Sequence, residues 1–186
     1  MRLIKRLAIL FCIALLFSLT IPVSAESISV ACNPTALRNA ITQANTSPGD
    51  TTLSLTTGCT YSFNSISPTG TGAALPNVGS NIVIQGNGAI IERNGGSSFR
   101  LFYVSGGHLQ LQSLTVRGGA APATGGGGIY VAAGATVTLD HSALINNSAS
   151  GLNGGGMLVV GSANVYNSTV SGNSASSGGG LYYQGG

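Results

Sequence analysis

Short stretches in which apolar and polar positions alternate recur through the second half of this chain, separated by glycine or asparagine. Three glycine triplets each run straight into an apolar segment, as GGGIYV at 126–131, GGGMLV at 154–159 and GGGLYY at 178–183. The triplets recur after 28 and then 24 residues. Self-similarity at such a period is typical of a solenoid, in which each repeat stacks on the next.

A second pair of matching blocks lies between the triplets, TLDHSALINNSA at 138–149 and NVYNSTVSGNSA at 164–175. Their alignment places Leu139 with Val165, and Leu111 lies 28 residues before Leu139. The pattern predicts short parallel strands whose inward apolar residues stack from coil to coil. The alternative is that the triplets are flexible linkers between small hairpins. The apolar residue directly behind each triplet favours the solenoid.

The N-terminal part carries a different pattern, which predicts the one helix at 33–45. Asn33 suits the N-cap position, and Pro34 suits the first helical position. Apolar residues then recur with helical spacing; they are Leu37, Ala40, Ile41 and Ala44. Residues 51–63 alternate like strands. We therefore expect a capping segment at 26–63, a loop at 64–80 and parallel β-helix repeats at 81–186, as about four coils and a truncated fifth.

The first residues predict export. Residues 1–25 combine a basic start, an apolar run and small residues ending at Ala25, which is typical of a signal peptide cleaved after that residue. An uncleaved membrane anchor is the alternative, although the apolar run is short for a span. The expected location is extracellular or at the cell surface. Cys32 and Cys59 then remain, and we expect a disulfide between them, with two buried free thiols as the alternative.

Charge excludes one class of partner. The whole chain has a formal net charge of +3, but after residue 25 four arginines oppose four carboxylates and no lysine remains. Nucleic-acid binding needs a basic surface, so we expect no nucleic-acid partner.

The segment VACNPTALRNAITQAN, with DTTLSL and CTYSF after it, resembles the CSLREA-type N-terminal domain of secreted bacterial proteins. Asn39 replaces the usual acidic residue, and the spacing from Cys32 to Leu37 is longer than typical. The resemblance implies a right-handed parallel β-helix of the pectin-lyase-like kind behind the cap. The glycine-rich repeats are also similar to those of polymorphic outer-membrane proteins and autotransporter passengers.

Many proteins with a pectin-lyase-like fold are polysaccharide lyases or hydrolases, and both activities depend on the arrangement of carboxylate side chains. A lyase needs carboxylates that converge on calcium, and a hydrolase needs a carboxylate pair. Asp140 aligns with Gln112 and Tyr166, Glu92 lies next to Arg93, and Asp50 suits a turn. No pair is evident, so we predict no catalytic residue, no cofactor site and no metal site in this segment.

The remaining polar residues have structural interpretations. His141 aligns with Ser113 and Asn167 in a polar ladder, and His108 follows a glycine turn. Arg38 is expected to hydrogen-bond within the cap. Three further arginines are expected to be solvated, with a face for acidic sugar as the alternative; they are Arg93, Arg100 and Arg117.

The sequence thus predicts an all-β, right-handed parallel β-helix with a short helical cap, interpreted as a fragment of a longer protein. The leading function is a structural, adhesin-like or glycan-contacting role at the cell surface, with a polysaccharide or host-surface ligand as partner. Contact with a membrane is expected only through an anchor outside the fragment. The alternative is a pectate-lyase-like enzyme whose active site lies outside the fragment.

Overall fold

The computed structural model describes residues 25–185. The predicted signal peptide therefore lies outside the described residues, apart from Ala25. The first elements are β1 Glu26–Val30, α1 Pro34–Ala44, β2 Thr51–Leu55, β3 Thr60–Phe63, β4 Ile82–Gln85, β5 Ile90–Arg93, β6 Phe102–Val104, β7 His108–Gln112 and β8 Thr115–Arg117. The later ones are β9 Ile129–Val131, β10 Thr136–Asp140, β11 Ala143–Ile145, β12 Ser148–Asn153, β13 Met157–Val159, β14 Ser162–Tyr166, β15 Thr169–Ser171, β16 Ser174–Ser177 and β17 Leu181–Tyr183.

The fold is a parallel β-solenoid of about six turns with one short N-terminal helix. Three sheets run along it: sheet A in the order β1-β2-β4-β7-β10-β14, sheet B in the order β15-β11-β8-β5-β3, and sheet C in the order β17-β13-β9-β6. A two-stranded pair, β12-β16, lies between sheets B and C in chain order. Because neighbouring strands in a sheet come from successive turns, equivalent residues of the repeats lie next to each other.

The register confirms the stacking that the sequence alignment predicts. Leu111 lies opposite Leu139, and Leu139 lies opposite Val165. In sheet C, Met157 lies between Ile129 and Leu181. Alternation directs these residues inward, and their polar neighbours outward. The first two members of each row are buried, whereas Val165 and Leu181 in the last turn are partly exposed.

Asparagine side chains hold one of the turns. Asn147 is buried, and its Oδ1 accepts a hydrogen bond from the backbone N–H of Gly119 at 2.9 Å. Its Nδ2 donates to the Oδ1 of Asn173 at 3.0 Å. Asn173 donates in turn to the carbonyl oxygen of Leu144 at 2.7 Å. The ladder thus supplies hydrogen-bond partners to buried backbone groups of successive turns.

The glycine triplets stack on one another with no room for side chains. The backbone N–H of Gly155 donates to the carbonyl oxygen of Gly178 at 3.2 Å. A Cβ atom at Gly155 would lie 2.5 Å from the carbonyl oxygen of Gly179. The triplets are therefore packing positions, and the linker interpretation is wrong.

The predicted helix is confirmed at the first turn of the solenoid. The side chain of Asn33 accepts from the backbone N–H of Ala36 at 2.8 Å, with Pro34 next in the chain. The apolar stripe is buried against β1, β2 and β3. The Cys32–Cys59 disulfide, also confirmed, links the start of the helix to the turn before β3.

The number of turns differs from the sequence prediction because the capping segment itself belongs to the solenoid. β1 pairs with β2, and β2 pairs with β4, so these strands add turns before residue 81. Residues 64–80 are irregular, yet they also contribute: Leu75 is buried, and Val78 forms a parallel bridge to Val104. The helix thus covers one end of a continuous column.

Candidate functional site

The outward side of sheet A forms a flat polar face. One row of outward residues crosses six strands, one residue from each turn: Ser29, Ser54, Gln85, Gln112, Asp140 and Tyr166. The adjacent row is Ser27, Thr52, Val83, Gln110, Thr138 and Asn164. Strand pairing spaces such residues about 4.8 Å apart along the axis. The face therefore presents amides and hydroxyls in a regular array.

A groove follows the turn from sheet A to sheet B, along the first of these rows. A concavity of about 290 Å³ is lined by Gln85, Gly86, Asn87, Gln112 and Ser113. A second, of about 370 Å³, shares Ser113 and continues past His141 to Asn167. We call these two concavities together the polar groove.

The polar groove owes its shape to backbone that turns in the left-handed region. Four stacked residues have positive φ there: Asn87 at 52°, Ser113 at 53°, His141 at 49° and Asn167 at 48°. Asparagine and histidine are enriched in this conformation among residues with side chains, whereas serine adopts it less often. The repeated turn directs side chains of different chemistry to the same edge. The predicted ladder of His141 with Ser113 and Asn167 is thereby confirmed.

One pair of hydrogen-bonded side chains, Asp140 and His141, lies beside the groove. The Nδ1 of His141 is 2.7 Å from the Oδ1 of Asp140, and the imidazole is largely exposed. Tyr166, which follows Asp140 in the outward row, is 55% exposed. On the same sheet, the Nε2 of His108 contacts the hydroxyl of Thr138 at 2.8 Å. The groove can therefore offer amide, hydroxyl and imidazole groups to a ligand that it holds by hydrogen bonds, with the phenol of Tyr166 beside it.

Each carboxylate side chain of the described residues is bound to neighbours other than a second carboxylate. Glu26 accepts from Gln43 at 2.6 Å, and Asp50 accepts from Asn81 at 2.9 Å. Glu92 lies on the outer side of sheet B, where the Nη2 of Arg117 is 2.7 Å away. Within residues 25–185, no three histidine, cysteine or acidic side chains gather where they could hold a metal ion.

The contacts of Glu92 predict that the stability of the fold falls at low pH. The hydroxyl of Ser62 and the guanidinium of Arg117 both donate to it and lower its pKa. A carboxyl with a lowered folded-state pKa adds stability above its unfolded pKa of about 4.3, and that stability is lost as pH falls through the folded value. We expect Glu92→Gln to destabilise the protein at pH 7 and to match the native chain more closely at pH 3. Urea unfolding of both proteins at pH 7 and pH 3 measures their free energies of unfolding. If the difference between the two proteins is as large at pH 3 as at pH 7, the prediction is wrong.

Arg38 and Arg93 each donate a hydrogen bond to a backbone carbonyl oxygen of another segment. Arg38 donates from Nε to the carbonyl oxygen of Ala74 at 2.8 Å, which ties the helix to the irregular segment and confirms its predicted role. Arg93 donates from Nε to the carbonyl oxygen of Gly118 at 2.7 Å.

Arg100 is buried, so the expectation that it is a solvated surface residue is wrong. Its side chain lies against two tyrosines that stack across β6 and β9, Tyr103 and Tyr130, whose ring centroids are 5.0 Å apart. The guanidinium carbon is 5.6 Å from the Tyr103 centroid and 5.0 Å from the Tyr130 centroid. The sequence analysis missed this stack, although the spacing of the two tyrosines matches one turn of the repeat.

Comparison of the chain with protein-family models, with curated proteins and with solved structures finds no match. Among residues 25–185, no helix is both long and apolar enough to cross a membrane. The geometry of the site must therefore carry the functional argument.

Proposed function

We propose that this protein is an exported, surface-contacting solenoid that binds a neutral saccharide along the polar groove. Solenoids commonly use such extended, regular surfaces for binding. The observation that carries the proposal is the row of Gln85, Gln112, Asp140 and Tyr166, which lines or adjoins the concavities. Export to the cell surface is inferred from the sequence pattern of residues 1–25, and an adhesin-like role from the regular repeat with its polar outer rows. Both belong to the same proposal.

The chemistry of the groove suits hydroxyl-rich ligands. An amide side chain offers both a carbonyl acceptor and two N–H donors, which complement the hydroxyls of a sugar. Tyrosine adds apolar ring surface with a polar end. The only ionisable pair beside the groove in the described residues, Asp140 with His141, is engaged internally. A neutral ligand therefore loses less hydration on binding there than a charged one would.

The family proposal remains that of a CSLREA-type domain followed by a pectin-lyase-like β-helix. The short helix, the disulfide and the parallel solenoid support it. These features concern architecture, and a shared architecture does not carry an activity with it.

Binding of the chain from Glu26 onward to immobilised neutral oligosaccharides tests the proposal. We expect Gln85→Ala and Gln112→Ala, which both line the first concavity, each to weaken binding about 3- to 10-fold, the effect of one lost hydrogen bond or small contact. The matched control is Gln110→Ala, on the same strand but outside both concavities, which we expect to change binding less than about twofold.

Two results would overturn the proposal. Equal losses for Gln110→Ala and Gln112→Ala would show that the groove does not select the ligand. Release of unsaturated products from polygalacturonate with calcium, followed by ultraviolet absorbance, would instead establish a lyase.

A further inference from the structure

Arg100 is a buried cation without an anionic partner among the described residues. Its side chain is 2% exposed. The chain has four acidic residues, all within residues 25–185: Glu92 pairs with Arg117, Asp140 contacts His141, and Glu26 and Asp50 accept from amide side chains. Burial lowers the pKa of Arg100, which reflects the cost of removing its charge from water.

The hydrogen bonds of Arg100 are also incomplete. A guanidinium carries five N–H donors in a planar fork. Nη2 donates to the hydroxyl of Thr124 at 2.8 Å, while Nε is buried without any hydrogen-bond partner. The rings of Tyr103 and Tyr130 provide cation–π contact. Such contact stabilises the cation but does not provide an acceptor for its N–H donors.

The segment that lies over Arg100 is short and exposed to solvent. Thr124 ends an exposed stretch, Pro122–Ala123–Thr124, that connects β8 to β9. Gly125 and Gly126 follow at φ of 87° and 67°, so the segment leads into backbone that residues with side chains rarely adopt. We call residues 122–124 the cover loop; Ala121, directly before it, is held by a hydrogen bond from its backbone N–H to the carbonyl oxygen of Ser148 at 2.8 Å. One neutral hydrogen bond, from Arg100 to Thr124, joins its tip to the buried cation.

We propose that Arg100 anchors an oxyanion-binding site on sheet C and that the cover loop opens to admit the anion. A carboxylate or sulfate group would accept from Nε and a terminal nitrogen at once, which is the bidentate geometry that favours arginine at such sites. The anion would replace the Thr124 hydroxyl and neutralise the buried charge beside the stacked rings of Tyr103 and Tyr130. This site is separate from the polar groove on sheet A, so either proposal can fail alone.

Nitrogen-15 NMR of the arginine Nε–H groups tests the site directly. In the chain from Glu26 onward there are four such groups, and three of them already donate, to Ala74, Gly118 and Glu92. Titration with sodium sulfate or sodium acetate at constant ionic strength should move the Arg100 signal to saturation. The signals of Arg38, Arg93 and Arg117 should move little, and they are the internal control. No saturating shift at Arg100, or equal drift of all four signals, would overturn the proposal.

Variants separate a binding role from a packing role. Thr124→Val removes the acceptor on the exposed cover loop, and we expect it to lower the Kd for sulfate about 3- to 10-fold. Arg100→Lys keeps the charge but lacks the planar fork, and should weaken binding at least about 10-fold. If Thr124→Val binds sulfate with an unchanged Kd, the proposed opening of the cover loop is contradicted, even if Arg100→Lys fails to fold.

A comparison of ligands identifies the source of the anion. A sulfated oligosaccharide that binds more tightly than sulfate would identify the anion as part of a larger ligand; equal affinity would identify the free anion. Either result supports the site.

Discussion

Leu139→Ala is expected to lower the free energy of unfolding by about 2–5 kcal/mol, the range for a leucine truncated in a close-packed core. Leu139 is 1% exposed and lies in the inward row between Leu111 and Val165. The cavity left behind would have strands on both sides along the axis, so neither neighbouring turn can collapse into it without breaking its own pairing. Urea unfolding followed by circular dichroism measures the loss.

The same substitution in the last turn of the described residues provides the control. Leu181 is 41% exposed, and Met157 is its partner on one side only. We expect Leu181→Ala to cost less than about half as much as Leu139→Ala, because less apolar area is removed from water there. Equal costs at the two positions would mean that burial in the column does not set stability.

Removal of the Cys32–Cys59 disulfide is the second large effect. The two residues are 27 apart in sequence, and a loop of that length corresponds to about 3–4 kcal/mol of stabilisation in the chain-entropy model. The bond joins the helix start to the turn before β3, so its loss should release the cap first. We expect Cys32→Ala with Cys59→Ala to unfold at a clearly lower urea concentration than the oxidised native chain.

Reduction provides the matched comparison for that pair. Dithiothreitol should shift the native chain towards the double variant and should leave the double variant unchanged. An oxidised native chain no more stable than the double variant would show that the cap is held by packing alone. The buried stripe of Leu37, Ile41 and Ala44 would then be its main support.

Much of the solenoid could be predicted because its repeats leave a direct record in the sequence. Leu111, Leu139 and Val165 recur at the period of one turn, and the structure stacks them. The helix could also be predicted from the sequence, because Asn33 and Pro34 mark its start. In each case one local pattern is enough to specify the contact.

The missed features depend on segments that do not repeat. Leu158 points outward in the row of Tyr130 and Tyr182, yet it is buried. A side chain at Gly125 would touch it at 2.8 Å, so loop backbone covers this part of sheet C. Arg100 is hidden at the same sheet, beneath the loop that carries Thr124. Periodicity gives the direction of a side chain, but it does not give the path of a loop that folds over it.

Of the polar groove, the sequence predicted only a ladder of polar side chains. The alignment of His141 with Ser113 and Asn167 was available from the repeat. The concavity beside Gln85 and Gln112 was not, because it arises from positive-φ turns that sequence marks weakly outside asparagine and glycine.

Methyl–methyl nuclear Overhauser effects in a chain labelled at leucine and valine test the stacked parallel register most directly. The account predicts cross-peaks from Leu139 to both Leu111 and Val165, with equivalent cross-peaks from Leu144 to Val116 and Val170. Cross-peaks that instead join Leu139 to Leu144, as in a local hairpin, with none to Leu111 or Val165, would contradict it.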